Sequence, residues 1–166
     1  YAGPKDRPGI VEADKDRERY RRKEYNVTKT EEVLEMEGEW PLEERMADDK
    51  FIFLVLKVGD EIVGYIELKN APEIGDKTVE VETLSVPEKY FRNKFGDNLT
   101  EQGVEEAKRL FVAEVIHLWT NKKNEPAIEL YQKQGFLKTG EERVNEGKTW
   151  AGEPSVSIGT VKHLNK

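Results

Sequence analysis

Two periodicities divide the chain. Where apolar residues crowd together or recur at every second position, the pattern is that of strands; where they recur at every third or fourth, it is that of helices. Phe51-Ile52-Phe53-Leu54-Val55-Leu56-Lys57 is a strongly β-prone run, and Gly59-Asp60 turns it back into Ile62 to Lys69, a hairpin signal. Asn70 to Lys77 holds Pro72 and Gly75 and reads as a loop, and Thr78 to Val86 alternates as a central strand should. From Asp97 to Ala113 the residues Leu99, Val104, Ala107, Leu110 and Phe111 fall on one stripe at helical spacing. Val115 to Thr120 is the next strand. Glu125 to Gln134 is a helix, with Asn124 as N-cap and Pro126 in its first turn, where proline is tolerated. Val156 to Leu164 closes the chain as a final strand.

The front of the chain is different. Residues 1–9 hold Gly3, Pro4, Pro8 and Gly9 and read as a loop. From Val11 to Tyr25 acidic and basic residues interleave, which fits an exposed helix laced with i,i+4 pairs or a partly disordered segment. Thr28 to Met36 predicts a second helix, capped by Thr28 or Thr30 ahead of Glu31-Glu32, and Pro41 to Met46 begins a short third one. The order is helices, then a β-meander, then β-α-β-α-β. That is an α/β protein with a mixed sheet, and 166 residues suit one domain, 1–166, with a single sizeable core.

Composition narrows the function classes. The net charge of −7 argues against general nucleic-acid binding, because phosphate contacts dominate that affinity. An acidic surface attracts small cationic molecules or basic peptides instead. The chain has no cysteine and two histidines, His117 and His163, so disulfides, thiolate zinc sites and histidine-rich metal sites are excluded. No apolar run approaches the length that spans a bilayer, and a cytoplasmic location with no membrane partner is the expectation. A second copy of the chain, as a homodimer, remains open.

Candidate chemistry gathers in the back half, in two strand–turn–helix units. The first turn carries Lys89, Arg92 and Lys94, with Gly96 at the helix mouth. A helix N-terminus with free N–H groups and nearby cations suits a phosphate. The plainer reading is a solvated loop on a charged protein. The second unit brings Asn124 and, seven residues later, Tyr131 to one edge of the sheet. Asn124 is a helix cap in either reading, and Tyr131 is equally a core tyrosine, since Ala127, Leu130, Tyr131 and Gln134 share a face. Glu82, on the central strand, is either a surface carboxylate or a general base. His117, mid-strand, reads as a packed or exposed residue rather than a catalytic one. Glu12, Asp14, Asp16 and Glu18 are either a solvated face or an acidic wall for a cationic substrate.

The stretches Val79 to Leu99 and Ile116 to Phe136 resemble the acyl-CoA half of the GCN5-related N-acetyltransferase superfamily. Their nearest likeness is to its Pai-type spermidine/spermine branch. Asn124 with Ala127-Ile128, Tyr131 and Gly135-Phe136 is the specific part. Asp60 to Leu68 resembles the preceding hairpin, and Tyr1-Ala2-Gly3 the turn after the family's first helix. The resemblance covers residues 50–140 well, as an acetyl-CoA-binding core, and leaves 1–48 as a helical, variable acceptor-side region. Family members open with a strand and a helix that have no counterpart here, so either the sequence starts late or the fold lacks both.

The resemblance implies an N-acetyltransferase with acetyl-CoA as co-substrate, no metal, and a primary amine as acceptor, a polyamine or a basic peptide among the candidates. The family's turn has the form Gln/Arg-x-x-Gly-x-Gly/Ala, and the matching positions here are Phe91, Lys94 and Gly96. It implies that the pyrophosphate lies against the amides of Phe95, Gly96 and Asp97 and the side chains of Arg92 and Lys94, with Asn93 in the same turn. Leu84 and Val86 would pair through their backbone with the pantetheine arm, which Asn124 also contacts. Tyr131 would protonate the departing thiolate and Glu82 would deprotonate the amine. The alternative is a non-catalytic member of the fold that acts as a ligand-binding or interaction module.

Overall fold

Gly59 takes φ 61° at the tip of the first hairpin, a left-handed conformation that costs glycine little. It joins β1 (Phe51–Val58) to β2 (Glu61–Asn70), which pair antiparallel from Phe51↔Lys69 to Val58↔Glu61. The computed structural model describes residues 1–13, 42–150 and 153–164. β3 (Thr78–Ser85) adds antiparallel to β2, and β4 (Val115–Asn121) adds parallel to β3. The parallel step is the one the sequence predicts, because a 17-residue helix, Phe95–Phe111, carries the chain from one strand to the next. Among the described residues the sheet has six strands, in the order β1-β2-β3-β4-β6-β5.

Among the described residues the helices are α1 (residues 7–13), α2 (Leu42–Ala47), α3 (Phe95–Phe111) and α4 (Glu125–Lys133). Alternation of side chains gives the sheet two faces. One face sets Ile52, Leu54, Ile66, Leu68, Val79, Val81, Ile116 and Leu118 against Leu99, Val104 and Ala107 of α3 and Tyr131 of α4. The backbone of α3 comes close here, since a Cβ on Gly103 would stand 3.0 Å from Ile66 Cδ1. Leu110 departs from the predicted stripe and is 43% exposed. On the other face Ile10, Val11 and Ala13 cover Phe53 and Tyr65.

Two elements differ from the sequence reading. The first nine residues are not a loop throughout: Pro4–Asp6 is a 3-10 turn and α1 begins at Arg7. Pro8 sits in the first helical turn, where its missing N–H has no intrahelical acceptor to lose. Gly9 serves close packing, because a Cβ there would stand 2.5 Å from Ile62 Cδ1. The second difference is a whole strand. β5 (Leu137–Trp150) precedes β6 (Glu153–His163), and the two form a long antiparallel hairpin at the sheet's edge. The helix expected over Thr28–Met36 and the acidic run Asp14, Asp16 and Glu18 lie outside the described residues.

Asp6 fastens the chain's entry to the sheet. It is 4% exposed, accepts the Gly3 N–H at 2.8 Å, and binds the ammonium of Lys57 on β1. The Lys57 contact, then the Gly3 amide, holds its carboxyl below the usual value. A lowered folded-state value means stability that is present above the unfolded carboxylate's titration and lost as pH falls through the folded one. Asp6→Ala should therefore cost about 2 kcal/mol near neutrality. In urea unfolding that deficit should shrink in acid.

Candidate active site

β3 and β4 pair only from Thr78↔Val115 to Val81↔Leu118, although β3 runs on to Ser85 and β4 to Asn121. Past that point the two parallel strands splay. The β2–β3 register slips at the same level: Val81 faces Leu68 and Thr83 faces Glu67, which leaves Glu82 as the extra residue of a bulge. Leu84 still pairs with Ile66 on the β2 side, so the opposite backbone edge of Thr83 to Ser85 lines an open wedge. β4 meanwhile stays paired with β6 out to Asn121↔Ser157.

At the wide end of the wedge stands the mouth of α3. The chain leaves β3 through Val86 and Pro87, makes a 3-10 turn at Glu88–Tyr90, and enters the helix behind Lys94. Lys94 takes φ 59° and ψ 20°, and Arg92 φ 67°, both left-handed. The conformation a glycine would supply is thus kept with a lysine in place, at a cost of about 1 kcal/mol. The first helical bond runs from Asn98 N–H to the Lys94 carbonyl at 3.0 Å. The amides of Phe95, Gly96 and Asp97 come before it and point out of the mouth.

The other side chains of this turn have settled tasks. Asn93 donates to the carbonyls of Tyr90 and Phe91, at 3.1 and 3.3 Å, and Phe95 packs on Tyr90 with ring centres 6.0 Å apart. Lys89 swings away to Glu61 at 2.7 Å, whereas Arg92 and Lys94 are exposed beside the helix mouth. Asp97 accepts from Gln134 Nε2 at 3.0 Å, which draws its carboxylate toward α4. A Cβ on Gly96 would stand 2.8 Å from Leu130 Cδ1, so α3 and α4 approach closely at the wedge.

On the wedge's far side Asn124 caps α4 as expected, accepting the Ala127 N–H at 3.4 Å. Tyr131 is 8% exposed and meets Phe136 edge-on, with centroids 5.6 Å apart. Leu84, Val86, Ala127 and Leu130 form the half-buried rim of the same core. The structure therefore brings Leu84, Val86, Gly96, Asn124 and Tyr131 to one end of the sheet.

Around the bulge lies a charged cluster that the sequence reading saw only in part. Glu82 is an exposed residue whose carboxyl is nonetheless partly desolvated, two residues beyond Glu80 on β3. Desolvation by the surrounding protein, then the charge of Glu80, pushes the Glu82 carboxyl up. Glu80 is held down, first by the imidazole of His117. His117 sits opposite it in the β3–β4 register, its side chain 6% exposed and Nδ1 3.7 Å from Glu80 Oε1. At that distance the contact is electrostatic rather than a hydrogen bond. His117 is thus packed, as read, and it also stacks edge-on against Trp119 at 5.3 Å. Arg143 of β5 lies over the Trp119 ring at 4.5 Å. Alternation along β3 already puts Glu80 beside Glu82, while Trp119 and Arg143 join only through the sheet order.

A model of the acetyltransferase (GNAT) family matches residues 15–136 of this sequence. The chain belongs to that family. An N-alpha-acetyltransferase of Sulfurisphaera tokodaii is 32% identical over 102 residues, covering 56% of this chain and 60% of the relative. An uncharacterized N-acetyltransferase, YvbK, of Bacillus subtilis is 37% identical over 79 residues, covering 47% of this chain and 48% of the relative. The chain thus spans between about half and three-fifths of the length of these curated relatives. Among solved structures, a PaiA N-acetyltransferase from Thermoplasma acidophilum in complex with coenzyme A superposes with a TM-score of 0.71. The match covers 96% of this chain and 94% of that one at 16% identity, a likeness of fold. The splayed mixed sheet is the GNAT fold. No helix among the described residues is long and apolar enough to cross a membrane.

Proposed function

We propose that this GNAT protein transfers an acetyl group from acetyl-CoA to a primary amine, a polyamine being the acceptor class its charge favours. The observation that carries the reading is the open edge of β3 beyond Val81, with the mouth of α3 and the helix that bears Tyr131 beside it. An extended pantetheine can add to that edge as a strand would, through the backbone of Leu84 and Val86. Its pyrophosphate then meets the amides of Phe95, Gly96 and Asp97, with Arg92 and Lys94 beside it and Asn93 bracing the turn. Asn124 begins the helix that carries Tyr131 and contacts the arm.

The chemistry is direct attack. The amine nitrogen bonds to the thioester carbonyl carbon and the carbon–sulfur bond breaks. Glu82 takes the proton from the ammonium, itself or through a water, and Tyr131 delivers one to the departing sulfur. No cysteine is present to act as a thiol nucleophile. The net charge of −7 and the exposed Glu82 favour a cationic acceptor.

Calorimetry with coenzyme A, followed by mass spectrometry of spermidine incubated with the protein and acetyl-CoA, tests this reading. Saturable binding and a single added acetyl group are the expected results. Absence of coenzyme A binding would sink it. Lys94→Gly separates the residue's two effects. Relief of the left-handed lysine should raise stability by about 1 kcal/mol. Loss of the cation should weaken coenzyme A binding by on the order of 1 kcal/mol at low salt, and less at high salt.

A further inference from the structure

β4 loses its β3 partner after Leu118, which pairs with Val81, so Trp119 is the first β4 residue on the rim of the wedge. Leu118 points into the core beneath α3 and α4. Alternation sends Trp119 to the opposite face, beside His117, whose ring it meets edge-on at 5.3 Å. Glu80 stands opposite His117 in the register and lies on that face too, its Oε1 3.7 Å from the imidazole Nδ1. An amine that enters the wedge from this face passes the indole.

The indole is half-buried, and a cation already lies over it. The guanidinium carbon of Arg143, from β5, sits 4.5 Å from the ring centre. β6 runs between β4 and β5, so this contact reaches across a whole strand. Gly159 lies beneath the crossing. It faces Trp119 in the β4–β6 register, and the indole edge stands 3.5 Å from where its Cβ would be. Glu141 Oε2 stands 3.3 Å from the same point. An aromatic face with one carboxylate toward β3 and another toward β5 suits a positive charge, and here the protein's own arginine supplies it.

We infer that the indole face of Trp119 seats an acceptor ammonium other than the reacting nitrogen, and that Arg143 is the resident cation this ammonium displaces. The inference rests on the polyamine reading of the acceptor. The reacting nitrogen must give up its proton to attack, whereas the other nitrogens of a polyamine stay charged near neutrality. A seat for one of them, at the residue where the strands part, fixes which nitrogen is presented to the wedge. Arg143 is an exposed residue near the sheet's edge, so its side chain can swing into water while the strand stays paired. The resident cation also sharpens selection. A neutral acceptor tail that lifts Arg143 off the ring offers no charge in exchange, but an ammonium does. The plainer reading is a cross-strand stack that steadies the β5–β6 hairpin. On that reading Arg143→Gln lowers stability and leaves acceptor binding unchanged.

The test is calorimetry of spermidine with the coenzyme A complex, read beside kcat and KM for spermidine and for butylamine, which has no second ammonium. The proteins are wild type, Trp119→Leu, Trp119→Phe, Arg143→Gln and the Trp119→Leu/Arg143→Gln double variant. Arg143→Gln should tighten spermidine about two- to fivefold, because nothing then competes for the ring. In that background Trp119→Leu should weaken spermidine by about five- to thirtyfold. In the presence of Arg143 the same substitution should cost less, since it also removes the competing stack. Trp119→Phe keeps a weaker aromatic face and should fall between wild type and leucine. The changes should appear in the spermidine KM, with the butylamine constants nearly unmoved. Arg143→Gln that weakens spermidine or leaves it unchanged overturns the inference. Equal costs of Trp119→Leu in the two backgrounds overturn it as well, and so does a butylamine KM that rises as far as that of spermidine. If the protein binds coenzyme A but neither binds nor acetylates spermidine, the polyamine reading fails and takes the seat with it. If spermidine is acetylated and the variants bind it as wild type does, only the seat fails.

Discussion

Glu82→Gln should slow acetyl transfer by about a hundred- to ten-thousandfold, the range for loss of one general base. The substitution keeps the shape of the side chain and removes only its capacity to take a proton. Acetyl-CoA affinity should hold, because in the proposed binding mode the pyrophosphate meets the amides of residues 95–97 and the pantetheine the backbone of Leu84 and Val86, not the Glu82 carboxyl. The signature is therefore a fall in kcat with little change in the coenzyme A dissociation constant. Stability supplies an independent sign. The Glu82 carboxyl is pushed up by desolvation and by Glu80, so its favourable contribution belongs to the protonated form. That contribution is present below the unfolded glutamate's titration and is lost as pH rises through the folded one. The glutamine variant should accordingly be more stable than wild type near neutrality and show no such advantage in acid. Equal denaturant midpoints at both pH values, with an unchanged rate, would make Glu82 an ordinary surface carboxylate.

What the sequence made legible was the part of the fold whose periodicity is strong and whose turns have their own chemistry. Phe51 to Lys69 declares a hairpin because apolar runs flank Gly59-Asp60. The parallel pairing of β3 with β4 follows from a helix lying between two strands. β5 was not legible. Its run from Leu137 to Trp150 is rich in Glu, Lys and Gly because it is an edge strand that pairs on one side only, with Leu137 and Val144 largely exposed. Burial leaves no alternation to read in such a strand. Gly3, Pro4, Pro8 and Gly9 misled in another way, since the same residues that punctuate loops also open helices and permit close packing.

The candidate site divides along the same line. Asn124, Gly96 and Tyr131 were visible because each is tied to a helix end or face. Lys94 was visible as a substitution, while its left-handed backbone appears only in three dimensions. Glu80 and His117 lie 37 positions apart, and nothing local joins them until the parallel register sets them opposite each other. Trp119 and Arg143 meet only because β6 inserts between β4 and β5.

Tyr131→Phe should lower the rate by about ten- to a thousandfold, with acetyl-CoA affinity nearly unchanged. The ring is already mostly buried and packs edge-on against Phe136, so phenylalanine keeps the contact that orders α4 behind its Asn124 cap. Only the phenolic proton is lost. A thiolate leaves poorly without one, because a free thiol titrates at about 8.5 and the sulfur carries its charge in the transition state. The effect should shrink with an acetyl donor whose leaving group is less basic, such as an aryl thioester, since that group needs less help to depart. A packing role makes the opposite forecast. Stability would then fall along with activity, and every acetyl donor would be slowed equally. The change in unfolding free energy should stay within about 1 kcal/mol, the worth of one hydroxyl hydrogen bond. An unchanged rate at saturating amine and acetyl-CoA would return Tyr131 to the core it shares with Phe136.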